Sequence, residues 1–191
     1  MIDHDATKTD LPPGQREVEQ PPIHHVGEPI VFDANTWRLT IAGAVELARD
    51  FTWREATALP VTTLEADWHG GAGWSVRAVR WSGTLLAPLL REARPLPSAR
   101  FVRFSDGGLY HTTLPLETAL QPDVLLATTI AGEPLSARHG APLRLVVPAK
   151  YAWKSVKWLR RIELLADDAP GFWERRGWHT AADPSRAERL A

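Results

Sequence analysis

Residues 139–159 read HGAPLRLVVPAKYAWKSVKWL and gather the side chains best able to do chemistry. A His-Gly turn at His139 leads into an apolar run broken by one arginine, Arg144, and a following loop carries Lys150, Lys154 and Lys157. An arginine among apolar neighbours needs an anionic partner or a register that faces solvent. Lysines and free backbone N–H groups beside it would suit a phosphate. An edge strand with solvated charges is the other reading of the same residues.

A second segment, Asp67-Trp-His69-Gly70-Gly-Ala-Gly-Trp-Ser75, places glycines directly after a strand pattern, where the backbone can come close to a ligand. A mobile turn with a structural His69 is the plainer alternative. His24, His25, His69, His111 and His139 invite a zinc hypothesis, but no pair has the i, i+4 spacing of a metalloprotease and no cysteine supports it. No metal site is expected from them. Ser75, Ser105 and Ser155 lack a nucleophile elbow, which argues against a serine hydrolase.

The elements that must position these residues are short. Trp37, Leu39 and Ile41 alternate with polar residues up to Gly43, a strand signature. Thr52-Trp-Arg-Glu55 has capping-box spacing and opens a helix ending before Pro60. Val61–Trp68 and Val79–Trp81 read as strands, with residues 69–73 too glycine-rich for regular structure and a helix starting at Thr84. Phe101–Phe104 and Leu109–Thr113 flank Asp106-Gly-Gly108 as a hairpin. A helical turn over 115–120, strands over 123–130 and 143–147, and a long strand over 156–165 complete the pattern. Many strands with few helices predict an α+β fold on mostly antiparallel or mixed sheets.

The 191 residues are 44% hydrophobic and 24% charged, enough apolar mass for a core. A net charge of −1 argues against a nucleic-acid binder. The absence of cysteine excludes disulfides, thiolate metal sites and cysteine nucleophiles. Nine tryptophans could form a sugar-stacking surface, but most fall at alternating strand positions or beside turns, where burial is the default. The first residues lack an apolar leader pattern, and no run approaches the ~20 apolar residues of a membrane helix, so a cytoplasmic protein is expected. Residues 1–30 are expected to form an extended arm, 31–180 the domain, and 181–191 a polar tail.

Together, TWRLTIAGAV, DWHGGAGWSVRAVRWSGTLLAPLL, GGLYHTTLPLETAL, the segment from LLATTIAGEP to KWLRRIEL, and GFWERRGWH resemble the oxidoreductase molybdopterin-binding domain of sulfite oxidases and bacterial methionine-sulfoxide reductase catalytic subunits. The ending looks like a short soluble branch of that family. The resemblance implies a sulfite-oxidase-type fold and molybdopterin, with or without molybdenum, as cofactor. It carries cofactor contacts to His69, Gly70, Ser105, His139, Arg144, Ser155, Val156 and Lys157. The family loop reads Asp-x-His-Cys, its thiolate ligating molybdenum, whereas Gly70 stands at that position here. The expectation is a molybdopterin-binding pseudoenzyme with lost or altered oxo transfer. The alternatives are an active oxidoreductase with a different metal sphere and a fold-only interaction protein. No haem or iron–sulfur ligands are present, so any electrons would come from an external partner.

Overall fold

The computed structural model describes residues 11–191. Its first elements are β1 (Arg16–Glu17), β2 (Arg38–Gly43), β3 (Arg49–Thr52), α1 (Trp53–Thr57), β4 (Thr62–Gly70) and β5 (Trp74–Leu85). Then come α2 (Leu86–Glu92), β6 (Phe101–Ser105), β7 (His111–Pro115), α3 (Leu116–Ala119) and β8 (Leu125–Ile130). The last are β9 (Glu133–Pro134), β10 (Arg144–Val146) and β11 (Arg161–Leu165).

Two mixed sheets result. In one, β5 is central: β4 and β8 pair with it antiparallel, β1 pairs parallel at Trp74 and Ser75, and β10 and β9 extend from β8. The other runs β3-β2-β11-β6-β7, with β11 parallel to β2 and the other pairs antiparallel. This is the α+β architecture of few short helices that the strand-rich pattern predicts.

The capping box forms as the spacing demands. The Thr52 hydroxyl accepts from the Glu55 N–H, and the Glu55 carboxylate accepts from the Thr52 N–H at 2.8 Å. Residues 101–115 make the expected hairpin.

Three expectations need correction. Strand β4 continues through His69 and Gly70, which pair with Ser75 and Trp74, so only Gly71–Gly73 turns. The partner strand stabilises extended glycine that local propensity would leave irregular. Strand β5 runs to Leu85 because Thr84 and Leu85 pair with Leu126 and Leu125, and the helix therefore starts two residues after Thr84. The long strand expected over 156–165 is regular only from Arg161. Trp158 takes a left-handed conformation with φ 52° and its indole N–H donates to the Ala137 carbonyl at 2.7 Å, which breaks the strand.

Alternation along β10 divides the interior. Leu145 joins the larger core, with Trp37, Ile41, Phe104 and Ile162. Val146 joins a smaller cluster containing Trp68, Trp74 and Trp81. Arg144 lies two residues from Val146, so the strand period turns it toward these tryptophans.

Candidate cofactor site

Arg144 is 1% exposed. Its Nη1 donates to the His139 carbonyl at 3.0 Å and its Nη2 to the Ser155 carbonyl at 3.1 Å. The guanidinium carbon lies 4.8 Å from the ring centre of Trp68 and 5.2 Å from that of Trp81. Among the described residues, no ion pair involves Arg144 or Lys157. Burial pushes the Arg144 pKa down to about 9. A buried cation served by carbonyls and ring faces alone is short of negative charge.

Lys157 stands beside it. Its Nζ donates to the carbonyls of His24 (2.7 Å) and Arg138 (2.8 Å). Burial, reinforced by the charge of Arg144, pushes its pKa down to about 8. Gly140 makes this approach possible: at φ 103°, a Cβ there would stand 2.9 Å from the Lys157 Cβ. The preceding turn is closed by Ser136, whose hydroxyl lies 2.9 Å from Nδ1 of His139. Burial, then Arg144 and Lys157, lowers the pKa of His139 and favours its neutral form.

Arg144, Lys157, His139, Ser155 and Gly70 share the lining of a cavity of about 390 Å³. The volume lies in the range of ordinary cofactor and small-molecule pockets. The Ser155 carbonyl holds Arg144, and its Oγ accepts the Val147 N–H at 3.1 Å, so its visible role is to brace the wall. Val156 belongs to the larger core, and Ser105 sits in the second sheet opposite His111 and Arg161; neither lines the cavity.

His69 lies behind the cavity rather than in its lining. Its Nδ1 is 2.8 Å from the Ser75 hydroxyl, which donates to Gln15 Oε1 at 3.1 Å, while Gln15 Nε2 donates to the Gly70 carbonyl at 3.2 Å. With the serine proton directed to Gln15, Nδ1 must carry the histidine proton. Burial lowers the His69 pKa, consistent with a neutral ring. The chain of bonds fixes the Gly70 carbonyl from behind.

Sequence reasoning missed much of the enclosure. Tyr110, Trp153, Trp173 and Trp178 line the cavity, as do residues 21–26 of the expected arm. The arm is held by the Lys157 bond to His24 and by His25, whose ring meets Trp158 edge-on at 5.6 Å. The family resemblance puts His24 and His25 near a further cofactor contact made by the N-terminal arm, although the motif there is too divergent to align. Lys154, another lysine of the loop, is not part of this wall. It pairs with buried Glu174 and donates to the Thr113 carbonyl at 2.9 Å. Among the described residues, no group of three or more His, Asp or Glu could hold a metal ion.

The cavity lining holds Arg144 and Lys157 and, among the described residues, no aspartate or glutamate, a charge pattern that suits an anion. The family model for the oxidoreductase molybdopterin binding domain matches residues 25–173, and the chain belongs to that family. It is 35% identical to an uncharacterized oxidoreductase, YuiH, of Bacillus subtilis (strain 168), over 94% of this chain and 91% of that protein. It is 30% identical to the sulfite oxidase of Arabidopsis thaliana, over 81% of this chain and 48% of that one. The protein-methionine-sulfoxide reductase catalytic subunit MsrP of Gluconobacter oxydans is 40% identical over 53% of this chain and 38% of its own length. The crystal structure of the sulfane dehydrogenase SoxCD from Paracoccus pantotrophus shares the fold, with a TM-score of 0.70 at 24% identity over 88% of this chain and 51% of that one. The chain thus spans about half the length of that sulfite oxidase and of that SoxCD chain, and nearly all of the Bacillus protein. Molybdopterin is the cofactor of this sulfite-oxidase-type family. The guanidinium of Arg144, which meets carbonyls and rings but no carboxylate among the described residues, stands with Lys157 in a charge pattern that suits the phosphate of such a cofactor.

Proposed function

We propose that this chain binds molybdopterin in the 390 Å³ cavity, with the phosphate at Arg144 and Lys157, and lacks the ordinary oxo-transfer activity of its relatives. The observation that carries the reading is the fully buried Arg144 without a carboxylate among the described residues. A phosphate there would supply the missing charge. Lys157 has three ammonium hydrogens and spends two on carbonyls, which leaves one donor for the ligand. His139 orients the turn whose carbonyl grips Arg144, and residues 21–26 exclude water from one side.

Bound with its metal, the cofactor supplies two-electron oxo-transfer chemistry. In this chain, position 70 offers a backbone amide and no thiolate, so the soft protein ligand implied by the family motif is missing. Any electrons would pass to or from an outside partner.

The test is metal and pterin analysis of the purified protein, with oxidised-pterin fluorescence as readout. Retained pterin with no sulfite- or sulfoxide-directed turnover is expected. A protein that never acquires pterin in a cofactor-producing host would overturn the binding reading, and turnover by the parent chain would overturn the loss of activity.

A further inference from the structure

Residues 177–191 fold back onto the walls of the cavity. Trp178, which lines it, pairs with Leu190 as an isolated bridge, and the Ala191 N–H donates to the Gly177 carbonyl at 3.0 Å. The Tyr151 N–H donates to the Ala182 carbonyl at 2.9 Å. The buried Tyr151 ring stacks at 4.9 Å on Trp153, a second lining residue, which meets Trp178 edge-on at 4.6 Å. This segment therefore holds two tryptophans of the aromatic wall.

One side chain joins that wall to the arm. Nε of Arg189 donates to the Tyr151 hydroxyl at 3.1 Å, and its Nη2 donates to the carbonyls of Pro13 (3.0 Å) and Gly14 (2.7 Å). Gly14 permits the approach: at φ 69°, a Cβ there would lie 2.8 Å from Nη2. The next residues reach the glycine turn, Gln15 through its bond to the Gly70 carbonyl and Arg16 through an N–H donated to the Gly73 carbonyl at 3.0 Å. Farther along the same arm, residues 21–26 cover the cavity.

We propose that Arg189 is a clasp: it fastens the start of the arm to the Tyr151–Trp153 wall, and its opening sets the rate at which cofactor enters and leaves the cavity. The planar fork of a guanidinium can hold a hydroxyl on one side and two carbonyls on the other, which a point charge cannot do. The partners lie in segments far apart in the chain, so loss of this one group frees both. Arg189 is a positioning residue, acting through Gln15 and Tyr151. The gating rests on the cofactor reading; the clasp does not.

Amide exchange followed residue by residue by NMR on the purified protein tests the clasp. In Arg189→Met, the Arg16, Val18 and Tyr151 amides should all exchange roughly tenfold faster than in the parent, since local opening sets these rates. The Thr40 and Ala44 amides, which bond to the carbonyls of Arg160 and Leu164 at the β2–β11 pairing, should keep the parent rates. Arg189→Lys should fall between, because its charge survives while the fork is lost. If Arg189→Met does not fold, Arg189→Lys carries the comparison. Faster exchange at Arg16 and Val18 with Tyr151 unchanged, or no change at any of the three, would overturn the clasp. Bound pterin should leave Arg189→Met several-fold faster than the parent after dilution, and release at the parent rate would overturn the gating. A chain that holds no pterin overturns the cofactor reading and the gating with it, whereas the exchange result still decides the clasp.

Discussion

Arg144 and Lys157 hang from consecutive carbonyls of one turn: Nη1 of Arg144 binds the carbonyl of His139 at 3.0 Å, and Nζ of Lys157 binds that of Arg138 at 2.8 Å. The turn thereby brings a guanidinium and an ammonium together although they stand thirteen positions apart in the chain. Such an arrangement repels itself until an anion arrives, and its consequences are measurable.

Arg144→Met and Lys157→Met should each weaken cofactor retention. A charge-assisted hydrogen bond contributes about 1.5–3 kcal/mol, or roughly ten- to 150-fold in affinity. Pterin content per protein after gel filtration measures the loss. Arg144→Lys should recover part of it, because charge survives while the fork that spans two carbonyls does not. Unchanged pterin in both methionine variants would place the phosphate elsewhere.

Lys157 makes the empty protein pH-sensitive in a defined direction. Its pKa is about 8 in the fold against an ordinary 10.5, so between those values the unfolded chain binds more protons. Stability from this group therefore rises as pH climbs from about 8 toward 10.5, the folded state having carried a penalty below that window. Affinity for inorganic phosphate should run the other way and fall as pH rises through about 8. Urea titrations and phosphate isotherms between pH 7 and 10, on the parent and on Lys157→Met, would show whether residue 157 is the source.

The buried pair Lys154–Glu174 supports the cavity from outside it. Glu174 also accepts from the Thr112 hydroxyl at 2.7 Å. Glu174→Gln leaves the Lys154 ammonium buried and unpaired, and removing one partner of such a pair costs about 3–5 kcal/mol. The urea midpoint should fall accordingly. A shift below a quarter of that size would mean that Lys154 reaches solvent or sheds its proton at little cost.

The arm over the cavity should be released when its tether is cut. No backbone hydrogen bond ties residues 19–32 to either sheet among the described residues, whereas Lys157 grips the His24 carbonyl. In Lys157→Met, a glutamate-specific protease should cut after Glu19 or Glu28 several-fold faster than in the parent, since local opening governs such cleavage. Cofactor or phosphate should slow the cut in the parent and leave the variant unaffected.

Local chemistry was legible without coordinates. The capping box at Thr52, the hairpin around Asp106-Gly-Gly108 and the alternation of β2 depend on near neighbours in sequence, and each formed as spacing required. The family blocks identified the fold and cofactor, and Arg144 stood out because a lone guanidinium in an apolar run needs a partner. Strand ends did not follow from local pattern, because Gly70 and Leu85 extend β4 and β5 only through partners distant in the chain.

What the sequence by itself determined was chemical type: which residues carry charge, where glycine stands, and that no thiol exists anywhere. Tertiary structure alone decided who meets whom. It sent Lys154 to Glu174 and left Lys157 without a carboxylate among the described residues, and it gathered Arg144, the arm and the tryptophans around one cavity. It also laid the Trp74 ring over Gly70. The physical reason is that pairing and burial are set by through-space packing of segments far apart in the chain, whereas periodicity reports only on neighbours.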